Sequence, residues 1–304
     1  MFAWIVPCAL VIGLFALIFH GRWDADWEVL AEFDALTLSE QVGAVAGVAT
    51  ALGFVLSAVS TPLYRWLEGY NFPPGLAARL AKRQLKRKHW IVRAAESGRG
   101  WRRNLNQEEL ERYPINDEQV VPTQLGNAFR AFETYGKTRF NLDSQTLWNE
   151  LMAVAPKYIQ TEYDRARAFV DFFVALIYLD GLMGLLTLAI QLSSGFNVAL
   201  SVYAALNIAS CFLFYRMAIL STSYVGQTVQ ALVNLGRVKL AGELGLEIPP
   251  KMADEWKMWQ RVTVFVYYGG CEPGSDLDIY RKKPAAPAPA GGDTADDAGE
   301  DGGE

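Results

Sequence analysis

The sequence predicts an all-α membrane protein with four transmembrane helices, cytoplasmic helical segments and one short strand. Two observations carry most of that expectation. The apolar runs Phe169 to Leu192 and Phe196 to Leu220 are joined only by Ser193-Ser194-Gly195, and each run is about 24 residues, enough to cross a ~30 Å hydrocarbon core. So short a connection makes them an antiparallel hairpin. The mean hydropathy of +0.10 and net charge of −5 over 304 residues fit a chain that mixes membrane and soluble segments.

The first element, Phe2 to Phe19, is apolar and at the lower limit for spanning. No basic region precedes it and no small-x-small site follows it, so it reads as an uncleaved first span. Residues 21–41 are acidic and aromatic, and Trp27, Leu30 and Phe33 fall on one side of a short helix suited to the membrane interface. Thr37-Leu38-Ser39-Glu40 has capping-box spacing and opens a second span, Val42 to Tyr64. Gly43 and Gly47 lie on a stripe of small residues there, spaced for close helix packing, which is a more usual role for such a stripe than lining a pore.

Past Pro62 the character turns basic. Arg79, Lys82, Arg83, Lys86, Arg87 and Lys88 lie on a helix directly beside the second span. The positive-inside bias assigns them to the cytoplasm, and with them both termini. Their place next to the bilayer favours the anionic cytoplasmic leaflet as partner over nucleic acid. Thr123 is placed to cap a helix that buries Leu125, Ala128, Phe129 and Phe132 and ends at Gly136; Asp143 is placed to cap another that buries Leu147, Trp148, Leu151 and Met152. From Lys157 the helical pattern enters the membrane without a break.

Inside the hairpin, Asp180 falls level with Asn207, so that a carboxyl–amide hydrogen bond across the seam is available, while Thr187 and Gln191 continue a polar stripe on the Asp180 face. Asp171 and Arg216 turn away from that seam and are expected at the interface, Arg216 reaching lipid phosphates. After the hairpin, Thr222 to Gly245 reads as a separate cytoplasmic helix. Residues 261–268 alternate Val262, Val264 and Val266 with Thr263, Phe265 and Tyr267, which is strand periodicity. The Pro-Ala and Gly-Asp-Glu tail cannot build a core. The resulting division is 1–64, 65–168, 169–220, 221–283 and 284–304.

Pro122, Thr123, Leu125, Gly126, Asn127, Arg130, Glu133, Asp143 and Trp148, with Tyr113-Pro114 before them, resemble an uncharacterised family of bacterial multi-span membrane proteins. The comparable stretch there commonly reads P-T-R-L-G-N, then R-Y-G-x-D and W-P-R-L. This chain differs at Gln124, at Phe140-Asn141 and at Asn149-Glu150, which removes two basic residues from the motif. Pro249-Pro250 and Trp256 also look similar, and the resemblance extends over roughly half the chain. It implies a protein of the bacterial inner membrane and no particular activity.

Catalytic sets are missing: no HExxH, P-loop or G-x-S-x-G occurs, and Cys8, Cys211 and Cys271 have no close spacing. No cofactor is expected. A non-enzymatic oligomeric scaffold or regulator is the first functional expectation, an oligomeric ion channel the second and a membrane enzyme the third. The orientation has a direct test. A cysteine at Ser97, in a chain without its native cysteines, should resist an impermeant maleimide added outside intact cells; labelling from outside would reverse the topology.

Overall fold

The computed structural model describes residues 2–19, 28–268 and 276–282. Twelve α-helices are seen in these residues: α1 (Phe2–Phe19), α2 (Glu28–Ala35), α3 (Leu38–Ala58), α4 (Ser60–Glu68), α5 (Pro74–Ser97), α6 (Trp101–Leu110), α7 (Gln124–Glu133), α8 (Tyr135–Phe140), α9 (Trp148–Val154), α10 (Lys157–Ser194), α11 (Val198–Glu243) and α12 (Met252–Tyr268). Three of them, α3, α10 and α11, are long and apolar enough to cross a membrane. The apolar stretch of α1, Phe2–Leu17, is shorter. Trp23, Trp27 and the Pro-Ala tail, which figured in the sequence reading, lie outside the described residues.

The pair α10 and α11 is the axis of the molecule. α11 has 46 residues, and at ~1.5 Å per residue it is a rod of about 69 Å, more than twice the ~30 Å of a hydrocarbon core. Its continuation past the apolar run corrects the expectation of a separate helix from Thr222. No Pro interrupts it, and Val225, Val229, Leu232, Val233 and Leu240 keep one buried face in register through the junction. α10 likewise begins just after Pro156 and runs unbroken into the apolar segment, as expected. Gln160 ties its first turn to the end of α9 by donating to the carbonyls of Met152 and Ala155 at 2.9 and 3.2 Å. At the far end Gly195, with φ +91°, reverses the chain, and Asn197 caps α11 by accepting from the Ala199 and Leu200 amides.

The helix expected as a second span, α3, ends earlier than expected. Pro62 has no N–H, and its ring would meet the carbonyl of residue 58 in a continuing helix; the chain breaks at Val59, and α4 starts afresh. Thr37 and Glu40 form their expected contact, the Thr37 amide donating to the Glu40 carboxylate at 2.8 Å. Gly43 and Gly47 face outward, with open space where a Cβ would stand. The glycine that brings α3 against α1 is Gly53, where a Cβ would lie 2.8 Å from the Ile5 Cα. On the α1 side Trp4, Cys8 and Val11 are buried at one-turn spacing.

α7, α8 and α9 pack on the part of α11 beyond its apolar run. Gly226 and Gly236 of α11 leave room for Phe132 of α7 and Leu151 of α9. The expected helix at Thr123 is α7, but it ends at Glu133; Gly136 lies inside α8. The Asp143 carboxylate accepts from the Gln145 and Thr146 amides, so it shapes the turn before α9 rather than its first turn. The strand expected at 261–268 is helical, the second half of α12. Met258, Trp259 and Val262 are buried at helical spacing, and a lone strand there would have no ladder to satisfy its backbone. The described residues contain only an isolated bridge, Leu246 to Arg281.

The geometry at Gly53 gives a stability prediction. Gly53→Ala pushes the added methyl into the Ile5 backbone and should cost about 1–3 kcal/mol, the usual range for overpacking, seen as a lower melting temperature in detergent. Gly47→Ala meets open space and should leave that temperature unchanged.

Candidate functional site

The motif residues converge where the membrane helices meet the helical unit, and most of them close one joint. Thr123 accepts from the Gly126 amide at 3.0 Å and so caps α7. Asn127 is fully buried; its carbonyl accepts from the Val121 amide at 2.9 Å, and its amide donates to the carbonyls of Val121 and Thr123 at 2.9 and 2.7 Å. One side chain thus completes the backbone hydrogen bonds of the loop that enters α7. A Cβ at Gly126 would stand 2.6 Å from the Glu68 carbonyl. Gly69, with φ +89°, turns the chain off α4 with Pro122 packed against it. Leu125 is fully buried, and Trp148 packs on Tyr163 at 4.8 Å between ring centroids. Asn141, in the position that the resembled pattern gives to glycine, has φ +57°, a conformation that Asn tolerates better than most side chains.

This joint brings a charged cluster together across three helices. Arg130 of α7 lies 3.8 Å from the Glu133 carboxylate and over the Tyr70 ring. Arg167 of α10 sits over the rings of Tyr64 and Phe129, at 4.4 and 5.3 Å, and 3.4 Å from Asp171. The Tyr64 hydroxyl donates to Asp171 at 2.6 Å. Asp171 therefore points into the protein, correcting its expected place at the lipid interface; two donors offer it more there than exposure would. Burial, helped by the Glu133 charge, raises the Glu68 carboxyl to about 7 against the opposing Arg167, Arg130 and Arg65. Burial also raises Glu133, against Arg130 and Arg167. With a carboxyl at about 7, the cluster can hold a proton near neutrality. Glu68, Tyr64 and Arg167 were missed in the sequence; the only local signal was the one-turn spacing of Arg167 and Asp171.

The hairpin residues are placed differently from the expected pairing. Asp180 and Asn207 are both buried at the α10–α11 seam, but the Ser210 hydroxyl supplies the bond to Asp180. Asn207 donates instead to the Tyr203 carbonyl of its own helix at 2.8 Å, since a neighbour one turn back is in reach without distorting the seam. Thr187 likewise donates to Met183, and Gln191 reaches Asn197 and Ser201 across the turn.

The basic helix α5 presents Arg79, Lys82, Arg83 and Lys86 to solvent. Lys88 departs from its expected lipid-facing role. It is buried, and donates to the Ile115 carbonyl at 2.9 Å and the Asp117 carboxylate at 2.6 Å. Lys88 and His89 hold the Asp117 carboxyl below the usual range by hydrogen bonding. Arg87 is occupied with Glu109 at 2.6 Å. Arg216, expected to extend toward lipid, donates to Gln124 at 3.2 Å. Among the described residues no three His, Cys, Asp or Glu side chains gather in a way that could hold a metal ion.

These features define an all-α protein with three helices long and apolar enough to cross a membrane. Comparison with protein-family models, curated protein sequences and solved structures returns no match.

The raised carboxyl of Glu68 sets a pH dependence. Its folded value of about 7 lies above the ordinary 4.5, so the folded state binds more protons between the two values. That stabilisation is complete below pH 4.5 and is lost as pH rises through about 7. The melting temperature in detergent should fall across this window, and Glu68→Gln should flatten the fall, leaving a smaller slope from Glu133. An equal slope in wild type and Glu68→Gln would contradict the assignment.

Proposed function

We propose that the protein is a four-span protein of the bacterial inner membrane, with both termini in the cytoplasm, that belongs to the family its motif resembles. In this reading it acts as a non-enzymatic oligomeric scaffold or regulator. The single observation that supports this best is the continuity of α10 and α11, which run from the apolar segments into the helical unit with one buried face. A unit mounted on such rods holds a fixed attitude to the bilayer, which is what a scaffold requires. The short α1, packed on α3 through Gly53, supplies the fourth span by insertion alongside a longer neighbour.

The outward stripe at Gly43 and Gly47 supports association of copies, since small residues in lipid allow close backbone approach. The enclosure of Asp180, Thr187 and Asn207 within one chain favours packing over conduction. The exposed Arg79, Lys82, Arg83 and Lys86 suit the anionic cytoplasmic leaflet. The scaffold reading predicts that the purified chain passes no current in planar bilayers and that Gly47→Leu reduces its cross-linked size. Currents altered by Asp180→Asn would replace the scaffold by a channel.

A further inference from the structure

A cleft of about 310 Å³ lies between α5, α6, the start of α7 and α11. Three arginines line it, Arg87, Arg112 and Arg216, together with two carboxylates, Glu108 and Glu109. Each carboxylate is already engaged: Glu109 with Arg87 at 2.6 Å and Glu108 with Arg112 at 3.0 Å. Arg112 is further fixed by Ser223 of α11 at 3.1 Å. Arg216 has only the neutral Gln124 oxygen, at 3.2 Å, as a hydrogen-bond partner among the described residues. The cleft therefore carries one positive charge beyond its own carboxylates, on a side chain with most of its donors uncommitted.

The position of Arg216 indicates what would bring the compensating charge. It lies at the inner end of the apolar run of α11, flanked by Phe212, Leu213, Met217 and Leu220, all exposed. Leu220 also lines the cleft. An apolar surface that suits acyl chains thus runs directly into a cationic recess, and planar guanidinium groups match phosphoryl oxygens in paired hydrogen bonds. The volume is at the lower end of the range for small-ligand clefts, sufficient for a headgroup.

We infer that this cleft binds the phosphoryl group of an anionic phospholipid, Arg216 donating to the phosphate and the acyl chains lying along Leu213, Met217 and Leu220. This deepens the leaflet contact proposed above and rests on the membrane placement of α11. It differs from that contact in being one saturable site away from the exposed face of α5.

The test is native mass spectrometry of the full chain in detergent, with added phosphatidylglycerol, phosphatidylcholine or inorganic phosphate. One phosphatidylglycerol per chain should be retained, in preference to phosphatidylcholine. Arg216→Gln should weaken retention at least about tenfold, the loss expected for one charge-assisted hydrogen bond. Arg216→Lys should be intermediate, and a variant with Arg79, Lys82, Arg83 and Lys86 all changed to Gln should retain the lipid. Because Arg216 is exposed, unchanged elution on size exclusion checks that its variants are folded. No retained phosphatidylglycerol, or equal retention by folded Arg216→Gln, overturns the site. Binding of inorganic phosphate that excludes phosphatidylglycerol overturns its lipid character. Sidedness plays no part in detergent, so these outcomes are independent of the topology, which labelling at Ser97 reads.

Discussion

The packing of α10 along α11 is the constraint on which the remaining structure depends. Both helices must satisfy two solvents, hydrocarbon at one end and water at the other, while the face between them stays buried throughout. Val170, Val174 and Leu179 of α10 are buried, as are Ala204 and Asn207 of α11 beside Gly184. In the apolar half, association gains little from the hydrophobic effect, because lipid is as apolar as the partner helix. The seam there is made by close approach at Gly184, beside Asn207 and Ile208, and by the Ser210 bond to Asp180. In the other half, burial of apolar area takes over, and α7 and α9 add to it on α11. One helix pair thus changes its means of cohesion along its length without changing its register.

The motif acquires a physical meaning in this setting. Asn127, Gly126 and Thr123 do not line the arginine cleft, and Asn127 and Gly126 are buried while Thr123 is half-buried. They close the joint between α4 and α7, which must turn sharply in a loop whose backbone groups are hidden from water. The joint then positions Arg130 and Glu133 against Glu68 and brings Phe129 under Arg167. The charged cluster thus takes Arg130 and Glu133 from the motif and Tyr64, Glu68, Arg167 and Asp171 from outside it.

The arginines show how sign alone misleads about role. Arg167 is enclosed by two rings and a carboxylate, where its charge is compensated and its planar face is covered. Arg216 lies on the same pair of rods at the exposed surface, with a single neutral partner. Lys88 belongs to the basic run, yet is held inside by Asp117 and a carbonyl. Burial and partner identity separate structural cations from those free to meet a ligand.

Hydropathy along the chain was enough to specify the helical class, the hairpin at Gly195, the continuity of α10 and the capped start of α3, because each follows from neighbours in sequence. The amphipathic pattern of α7 was equally local: Leu125, Ala128, Phe129 and Phe132 are buried as expected, and the structure buries Gly126 and Asn127 with them. Three-dimensional packing decided the rest. The alternation at Val262 to Tyr267 suited a strand until Met258 and Trp259, one turn earlier, were needed on the same buried face. Asp171 found Tyr64, over a hundred residues distant in sequence, and Asp180 found Ser210 rather than Asn207. Which polar group meets which across a helix pair depends on rotation of the helices to within a fraction of the ~100° between successive residues, and that rotation is set by side chains packing on all faces at once.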